Sequence, residues 1–332
     1  MTESPLGELS VDAALDASLS RSLAEVETEL RSAVVSNYPF VSEASKHLVD
    51  AGGKRFRPLL TLLASHLGAD PANPDVIKAA VVVELTHLAT LYHDDVMDEA
   101  QMRRGAPSAN ARWNNTVAIL TGDFLFARAS DILADLGPEA VRIQAQTFER
   151  LCTGQIRESV GPDDGVDPVK HHLHVLADKT GSLIATAGRF GTMMSGADHE
   201  TIDIMTRFGE AIGVAFQLAD DIVDITSESS QSGKLPGTDL REGVPTLTAL
   251  LVRTAEDPVD SELVEFLSGP IDDDAQHARA LELLRAHSAL DQAREEACRW
   301  ARDARRTLRP LPDGPARQAL EALCDYVVNR TG

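Results

Sequence analysis

The chain has 332 residues, of which 52 are acidic and 31 basic, so its formal net charge at pH 7 is −21. Such a charge repels polyanions and argues against nucleic acid and anionic membrane surfaces as main partners. The three cysteines, Cys152, Cys298 and Cys324, contain no CxxC pair, which argues against a disulfide framework or a zinc site. Since no run of about 18 apolar residues and no basic-then-apolar leader occurs, we predict a soluble, cytoplasmic protein.

Helical periodicity runs through nearly the whole chain, and the alternation typical of β-strands is nowhere convincing. The predicted helices cover residues 20–36, 41–53, 59–69, 76–93, 115–137, 139–161, 178–196 and 200–225, and three or four more follow between 244 and 330. Residues 162–174 are predicted to form a loop, and residues 226–243 a mobile loop. We therefore predict an all-α protein with a flexible N-terminal tail at 1–19 and a single domain at 20–332.

The predicted helix at 76–93 is apolar on nearly every side, as is typical of a helix in the centre of a bundle. It ends in three carboxylates, Asp94, Asp95 and Asp98. Asp94 and Asp98 are four residues apart, so on a helix they project from the same side and repel each other. Mg²⁺ is the simplest partner for this pair, because it binds carboxylate oxygens together with phosphate oxygens of a substrate. The alternative is a solvated acidic end of the helix.

A second acidic group repeats this spacing in the sequence QLADDIVD, which contains Asp220, Asp221 and Asp224. It also closes an apolar helix, the one predicted at 200–225. Carboxylates cannot lie in an apolar interior unless cations accompany them. Two such groups are hard to explain as two solvated surfaces, so we predict a buried cleft with acidic walls.

The two acidic motifs resemble those of the trans-isoprenyl diphosphate synthases, the chain-elongating prenyltransferases. The resemblance extends over about residues 45–250. It includes GGKRFRP (52–58), ELTHLATLYHDDVMD (84–98), RRG (103–105), GDFLFARA (122–129), GQ (154–155), KTGSL (179–183), FQLADDIVD (216–224) and GKLPGTDLREG (233–243). It implies a single large helical bundle of the isoprenoid synthase type with a central active-site cavity, Mg²⁺ as cofactor and a homodimer, for which the sequence offers surplus apolar surface at 115–137.

The implied reaction ionises an allylic diphosphate primer, and the double bond of isopentenyl diphosphate then attacks the cation. The primer is geranyl, farnesyl or geranylgeranyl diphosphate. A metal cluster neutralises the departing diphosphate. The implied metal ligands are Asp94, Asp95, Asp98, Asp220, Asp221 and Asp224. The implied catalytic residues are Asp94, Asp95, Asp220, Lys179, Thr180 and Gln217. We name no side-chain base, because the proton is expected to leave through bound diphosphate.

A basic run near the N-terminal side of the motifs is expected to hold the second diphosphate. By resemblance, Lys54, Arg57, His87 and Arg104 bind isopentenyl diphosphate, and Arg103, Lys179 and Lys234 assist the allylic diphosphate. His87 lies two helical turns before Asp94, on nearly the same side of the helix. A basic run is more often a solvated surface. In a chain this acidic, that explanation is weaker for the five basic residues Lys54, Arg55, Arg57, Arg103 and Arg104. An isolated histidine on an apolar helix is otherwise a core residue.

Thr180 and Gln217 match family positions that line the space beside the forming carbocation. A hydroxyl or carbonyl dipole there stabilises positive charge. The alternative is that each side chain is a buried hydrogen-bonding residue without a catalytic role.

Small residues precede the first acidic motif at the positions that control product length in the family, Ala89 and Thr90, and again at Thr86. Short-chain enzymes have bulky aromatic residues there, and many also carry an insertion between the aspartates that this chain lacks. Both features predict a long all-trans product of about six to ten isoprene units, made by an enzyme of the long-chain bacterial type. A floor at Leu85, Val82 or a neighbouring helix leaves a twenty-carbon product as the alternative. Release of a long product is expected to need a membrane or lipid.

Two features remain open. His171, His172 and His174 form a histidine-rich stretch, which we interpret as the solvated start of a helix because no Cys or carboxylate lies at ligand spacing. Val244 stands where many family members have lysine.

The alternative functions are a class I terpene cyclase, which lacks GGKRFRP and the second Asp-rich motif, and a non-catalytic partner subunit, which tends to lose one of the motifs.

Overall fold

Helices make up most of the part of the chain that the structure describes. The structure is a computed structural model, and it describes residues 12–227, 236–255 and 257–329. The α-helices are α1 (Ala13–Ala33), α2 (Pro39–Asp50), α3 (Phe56–Ser65), α4 (Pro74–Met97), α5 (Ala109–Arg112), α6 (Asn115–Leu136), α7 (Pro138–Val160), α8 (Pro168–Leu176), α9 (Ser182–Met194), α10 (His199–Thr226), α11 (Thr238–Glu242), α12 (Leu247–Ala255), α13 (Ser261–Phe266), α14 (Asp274–Ala286), α15 (Ser288–Thr307) and α16 (Pro315–Asn329). The predicted all-α fold class is confirmed.

Four short elements of other types lie between the described α-helices. A π-helix (Ala177–Gly181) lies between α8 and α9, and a 3₁₀-helix (Pro258–Asp260) precedes α13. The strands β1 (Met102–Arg103) and β2 (Ala106–Pro107) pair antiparallel just after α4. No alternating pattern predicted these strands, because two residues are too few to show one.

Side-chain caps define where the long helices begin. Asn73 precedes α4 and accepts a hydrogen bond from the backbone N–H of Asp75 at 3.0 Å. Asn114 precedes α6 and accepts one from the N–H of Val117 at 2.9 Å. Each cap satisfies an N–H group that has no partner within the helix. The observed α6 therefore starts at the predicted residue.

The first helix starts earlier than predicted. Asp12 accepts a hydrogen bond from the N–H of Leu15 at 2.7 Å, and α1 begins at Ala13. The predicted tail at 1–19 is therefore wrong in its C-terminal part, because the acidic cap was overlooked. Residues 1–11 lie outside the described part of the chain.

Both predicted loops also contain helix. Asp167 caps α8 through the N–H groups of two following residues, so α8 begins at Pro168, inside the predicted loop at 162–174. The predicted loop at 226–243 contains α11, and residues 228–235 lie outside the described part. In both cases turn-rich composition concealed a short capped helix.

The chain groups into two compact units. Unit 1 consists of the chain up to Phe148 with Leu183–Thr206 and Pro310–Leu320, and unit 2 consists of Glu149–Ser182, Arg207–Arg309 and the chain from Glu321. The single domain at 20–332 stays a prediction.

Unit 1 is built around α4. This helix packs against α6 most extensively and also against α1 and α3. Tyr92 on its last turns is fully buried; its hydroxyl donates to the Ala44 carbonyl at 2.6 Å and accepts from the Leu48 N–H at 3.2 Å. Tyr92 therefore joins α2 to the end of α4 that carries the first acidic motif.

The apolar character of α4 is that of a buried core helix. Among the described residues, α4 is the one helix long and apolar enough to cross a membrane, and 67% of its 18-residue apolar window is buried inside the protein. The central helix of a protein core meets the same criteria, so the finding is weak evidence for a membrane span.

Unit 2 has a core of its own. The C-terminal part of α10 contributes Val214, Leu218 and Ile222, which pack with Leu240 from α11 and Val252 from α12. Helices α12 and α15 pack against each other, and α8 packs against α12. This core fixes the end of α10 that carries the second acidic motif.

Candidate active site

The first acidic motif ends α4 in unit 1. Asp94 is half-buried, Asp95 is fully buried and Asp98 is exposed. The N–H of Asp98 donates to the Asp94 carbonyl at 2.8 Å, so both residues belong to the last helical turn. The structure therefore brings these three predicted ligands together, with the middle carboxylate turned into the protein.

Arg103 holds the buried carboxylate. Its Nε donates to Oδ1 of Asp95 at 2.6 Å, whereas Oδ2 is buried and makes no hydrogen bond. Burial raises the pKa of Asp95, and the Arg103 guanidinium opposes that shift. A buried carboxylate oxygen without a partner fits a site that a cation completes.

A tight hairpin brings Arg103 back to the motif. Arg103 on β1 pairs with Ala106 on β2, and Arg104 and Gly105 form the turn between them. Both turn residues have positive φ, +53° for Arg104 and +77° for Gly105. The RRG sequence thus provides a turn with glycine where the left-handed conformation is easiest.

Basic residues gather near this hairpin, in the same unit. Burial lowers the pKa of His87 well below its usual value, and the guanidinium groups of Arg57 and Arg104 lower it further. His87 is therefore neutral beside several cations. Lys54 is exposed, and Arg57, Arg103 and Arg104 are half-buried. We call Lys54, Arg57, His87, Arg103 and Arg104 the basic cluster; it is an environment that favours an anion.

Arg55 differs from its neighbours, although the sequence grouped it with them. It is 7% exposed and forms ion pairs with Glu84, at 2.9 Å, and with Glu27. The sequence gives one signal of this pairing, the carboxylate of Glu84 within an otherwise apolar helix.

The second acidic motif ends α10 in unit 2. Asp220 is exposed, Asp221 is buried and Asp224 is half-buried. Gln217 Nε2 donates to Asp221 Oδ1 at 3.0 Å, and Thr180 Oγ1 donates to Gln217 Oε1 at 3.1 Å. The structure thus joins two predicted catalytic residues, Thr180 and Gln217, to a predicted metal ligand.

Asp224 organises the segment that follows. Its carboxylate accepts the backbone N–H groups of Thr238, at 3.2 Å, and Asp239, at 3.1 Å, which begin α11. This cap places Asp239 close to the second motif. Sequence reasoning missed Asp239, although it lies in the quoted GTDLREG.

Burial, and then like charges, raise the pKa values of this group. Burial raises the pKa of Asp221 to about 7, and the carboxylates of Asp220 and Asp224 add to the shift. Burial likewise raises the pKa of Asp239 to about 8, with Asp221 and Asp224 contributing. Among the described residues, no three His, Cys, Asp or Glu side chains already converge on a metal site. Carboxylates that repel each other nevertheless suit a hard divalent cation. Oxygen atoms of the substrate would complete the coordination shell of that cation.

Lys179 lies in the π-helix of unit 2. Its Nζ contacts Glu158 Oε2 at 2.5 Å, and Glu158 is also one of the carboxylates that raise the pKa of Asp221. A Cβ at Gly154 would lie 2.9 Å from the Lys179 backbone nitrogen, so glycine lets α7 approach the π-helix here. Sequence reasoning missed Glu158. Lys234, the other predicted lysine, lies outside the described residues.

The positions predicted to control product length lie on α4. Ala89 and Thr86 are fully buried, and Thr90 is half-buried. Thr86 Oγ1 accepts a hydrogen bond from Gln144 Nε2 at 2.7 Å, and Gln144 Oε1 is buried without a partner. A polar pair therefore occupies the region beside Thr86, which the small side chain of threonine did not reveal.

The histidine-rich stretch is not wholly solvated. His172 is buried within α8, and burial lowers its pKa to about 4. Its neighbour His174 is exposed, as expected for the predicted solvated start of a helix. The interpretation is therefore wrong for His172, which points into unit 2 because α8 begins before the stretch.

Comparisons with known proteins agree with one another. The family model described as polyprenyl synthetase matches residues 38–284. The nonaprenyl diphosphate synthase of Mycobacterium tuberculosis is 52% identical over 98% of this chain and 96% of its own.

Solved structures extend the comparison to the fold. A geranylgeranyl pyrophosphate synthase from Corynebacterium glutamicum, complexed with calcium and isoprenyl diphosphate, has a TM-score of 0.87 at 47% identity and covers 97% of this chain and 99% of its own. A decaprenyl diphosphate synthase from Rhodobacter capsulatus has a TM-score of 0.87 at 33% identity, with 96% and 99% covered.

Proposed function

Since the chain belongs to the polyprenyl synthetase family and is a chain-elongating transferase of isoprenoid biosynthesis, we propose how its residues carry out the reaction. The substrates are isopentenyl diphosphate and an allylic diphosphate primer, namely geranyl, farnesyl or geranylgeranyl diphosphate. They condense head to tail to an all-trans polyprenyl diphosphate. The observation that carries this proposal is that the basic cluster lies in the same unit as the first acidic motif. The acidic motif suits an anion bound through a metal ion, and the basic cluster suits an anion bound without metal.

The proposed cofactor is Mg²⁺, with the carboxylates of each acidic motif as its ligands. Support comes from the buried, unpartnered Oδ2 of Asp95 and from the mutual repulsion around Asp221. The calcium complex of the Corynebacterium glutamicum synthase also supports divalent-cation binding. Bound Mg²⁺ would neutralise the charge that develops on the departing diphosphate.

The ligand roles within each motif differ in this proposal. Asp94 and Asp98 belong to the last turn of α4 and would bind the cation. Asp95 is held by Arg103, so it would share its charge between the cation and a guanidinium. In the second motif Asp220 is the most exposed ligand, and Asp224 binds while it also caps α11.

Isopentenyl diphosphate binds to the basic cluster. Lys54 lies just before α3 and Arg57 lies in its first turn, and neutral His87 offers a donor from α4. Arg104 completes the set, and Arg103 contacts the first acidic motif through its hydrogen bond to Asp95. Since isopentenyl diphosphate keeps its diphosphate during condensation, side-chain cations suffice to hold it.

Thr180 and Gln217 stabilise the allylic cation. The Thr180 hydroxyl donates to the Gln217 carbonyl oxygen, whose amide donates to Asp221, so both dipoles are oriented before substrate binds. Lys179 neutralises charge on the allylic diphosphate when it exchanges Glu158 for the substrate. Lys234 is proposed for the same role on the basis of resemblance alone. The proton lost after condensation is accepted by diphosphate oxygen.

The proposed product has about six to ten isoprene units. Ala89, fully buried on α4, leaves space beside the first motif for a growing chain. The nonaprenyl and decaprenyl names of two relatives support this length. The geranylgeranyl synthase relative supports a twenty-carbon product as the alternative, and the polar pair of Thr86 and Gln144 offers a place for the chain to stop.

We further propose a cytoplasmic homodimer. Ile119 and Leu120 on α6 are 42% and 60% exposed, and an apolar helix face of this kind fits a second copy of the chain. The cysteine pattern and acidic composition support the cytoplasm. Release of the long apolar product to a membrane or lipid follows from its hydrocarbon length.

The reaction class is tested by diphosphate release with Mg²⁺ and farnesyl diphosphate, with and without isopentenyl diphosphate. A synthase releases diphosphate only when isopentenyl diphosphate is present. Release from the primer alone, with a hydrocarbon product, would indicate a terpene cyclase instead. No release under either condition would support the partner-subunit alternative.

A further inference from the structure

Arg55 occupies an unusual position between two residues of the basic cluster. It has a positive φ of +48°, which is uncommon for a residue with a side chain, and it directly precedes α3. Its side chain is buried, whereas Lys54 on one side is exposed. The left-handed backbone at Arg55 therefore turns its guanidinium into the protein while its neighbour faces outward.

The buried guanidinium binds groups from three helices. Its Nη1 lies 2.9 Å from Glu84 Oε1 on α4, and its Nε donates to Glu27 on α1. It also donates to two carbonyls at the end of α2, from Nη2 to Val49 at 3.1 Å and from Nη1 to Gly52 at 3.2 Å. These donors are spread around a planar fork, so an ammonium group could not reproduce them.

Arg104 binds the same turn as Arg55. Its Nη1 donates to the Leu48 carbonyl at 3.1 Å and also to the Gly52 carbonyl. Gly53 is closely covered, since a Cβ there would lie 2.9 Å from the Arg104 guanidinium carbon. Two guanidinium groups thus meet at the backbone that immediately precedes Lys54.

The carboxylates around Arg55 also set the charge that a substrate meets. Glu84 and Glu27 pair with Arg55, so its charge is balanced inside the protein. Glu84 is three residues before His87 on α4, which places both side chains on one face of the helix. The Arg55–Glu84 pair therefore joins the turn carrying Lys54 and Arg57 to the helix carrying His87.

We propose that Arg55 is a positioning residue: through Glu84 and Glu27 it holds Lys54, Arg57 and His87 in the arrangement that binds isopentenyl diphosphate, without touching the substrate itself. This rests on the proposed function of the basic cluster. A direct-contact role would require Arg55 to leave two carboxylates and two carbonyls, and would leave Glu84 as an unpaired buried charge.

Charge-neutral variants of the two glutamates distinguish these roles, because the two roles predict opposite changes in KM for isopentenyl diphosphate. If Arg55 bound the diphosphate, Glu84→Gln and Glu27→Gln would release a competing partner, and KM for isopentenyl diphosphate would fall. If Arg55 positions its neighbours, both changes loosen the turn, and that KM rises about tenfold, since small misplacements of binding groups are costly. KM for the allylic primer is expected to change less than about twofold, because its metal ligands are not held by Arg55.

The experiment measures KM for both substrates, kcat and the melting temperature of each variant, with the unsubstituted enzyme alongside. Glu29→Gln, at an exposed position on the same helix as Glu27, is the matched control. Arg55→Lys is expected to behave like Glu84→Gln because it keeps the charge and loses the fork. Should Glu84→Gln prove too unstable, the partly exposed Glu27 still allows the comparison.

An unchanged or lower KM for isopentenyl diphosphate in Glu27→Gln and Glu84→Gln would overturn the positioning role. Equal increases in KM for both substrates would do the same, because they indicate general loosening. Absence of isopentenyl diphosphate incorporation by the unsubstituted enzyme would instead contradict the proposed function.

Discussion

Asp221 and Asp239 have pKa values near neutrality, about 7 and about 8. Because burial and neighbouring carboxylates raise both values, the folded protein keeps protons that the unfolded chain releases near pH 4. The folded state therefore binds more protons than the unfolded state over this interval, and its stability falls as pH rises.

We predict that, in EDTA, the melting temperature falls between pH 5 and 8 and that Asp221→Asn reduces the fall. Mg²⁺ with inorganic diphosphate is expected to reduce it too, since bound cations favour the ionised carboxylates. Thermal unfolding across this pH range provides the measurement. Asp203→Asn, an exposed change on the same helix, serves as control. A melting temperature that rises with pH in EDTA would contradict the assigned shifts.

The side chain of Gln144 gives a prediction about product length. Its hydrogen bond to Thr86 places an amide beside α4, and a hydrocarbon chain reaching this point would have to displace it. Separating the pair leaves buried polar groups unsatisfied, at a cost of about 1–3 kcal/mol. Gln144→Ala should therefore lengthen the products by at least one isoprene unit, as judged by chromatography.

The control for Gln144 lies one turn along the same helix. Thr147→Val removes a buried hydroxyl that contacts Thr186 rather than Thr86. It is expected to leave the product distribution unchanged. The same distribution in both variants and the unsubstituted enzyme would place the limit of the product elsewhere.

A buried hydroxyl on α4 contributes to the attachment of α2. Tyr92→Phe removes its bonds to the Ala44 carbonyl and the Leu48 N–H. We expect the free energy of unfolding to fall by about 1–3 kcal/mol, because two buried backbone groups lose a partner. Urea denaturation measures the change, and Tyr38→Phe, at an exposed tyrosine, is the control. Equal stability of the two variants would show that the hydroxyl contributes nothing.

Long apolar helices were predictable because their periodicity extends over many turns. The helix predicted at 115–137 appears as Asn115–Leu136, and the one at 200–225 as His199–Thr226. The start of α8 was not predictable, because it is set by a single Asp cap within an acidic, turn-rich stretch whose composition indicates a loop. The hairpin after α4 was also missed, because its pairing is visible only once the backbone turns at Arg104.

The site followed the same division. Motif spacing predicted that Asp94, Asp95 and Asp98 share one helix end, and resemblance gave the confirmed family and fold. The different role of Arg55 could not be predicted, because its partners Glu27 and Glu84 are remote in sequence and pairing depends on the packed helices. Similarly, nothing local indicates that α11 brings Asp239 to the second motif.

The protein has to bind two anionic substrates despite a net charge of −21. In the proposed mechanism each substrate is bound differently, the allylic diphosphate by metal and isopentenyl diphosphate by side-chain cations. Removal of metal should therefore affect the two substrates differently.

In EDTA we expect binding of farnesyl diphosphate to be lost while isopentenyl diphosphate still binds. Isothermal titration of each ligand, with and without Mg²⁺, measures both affinities. Arg57→Ala should abolish the remaining binding of isopentenyl diphosphate in EDTA, since it removes a cation of the basic cluster. Equal loss of both ligands on metal removal would argue against a metal-free site.

The proposed function is tested by the size of the product. The enzyme is incubated with labelled isopentenyl diphosphate, Mg²⁺ and a fifteen- or twenty-carbon primer, and the products are sized by chromatography. We predict all-trans products of about thirty to fifty carbons, six to ten isoprene units, because the small residues Ala89 and Thr90 leave the growing chain unblocked beside the first acidic motif. A stop at twenty carbons would contradict the proposed length, and no incorporation of label would contradict the proposed function itself.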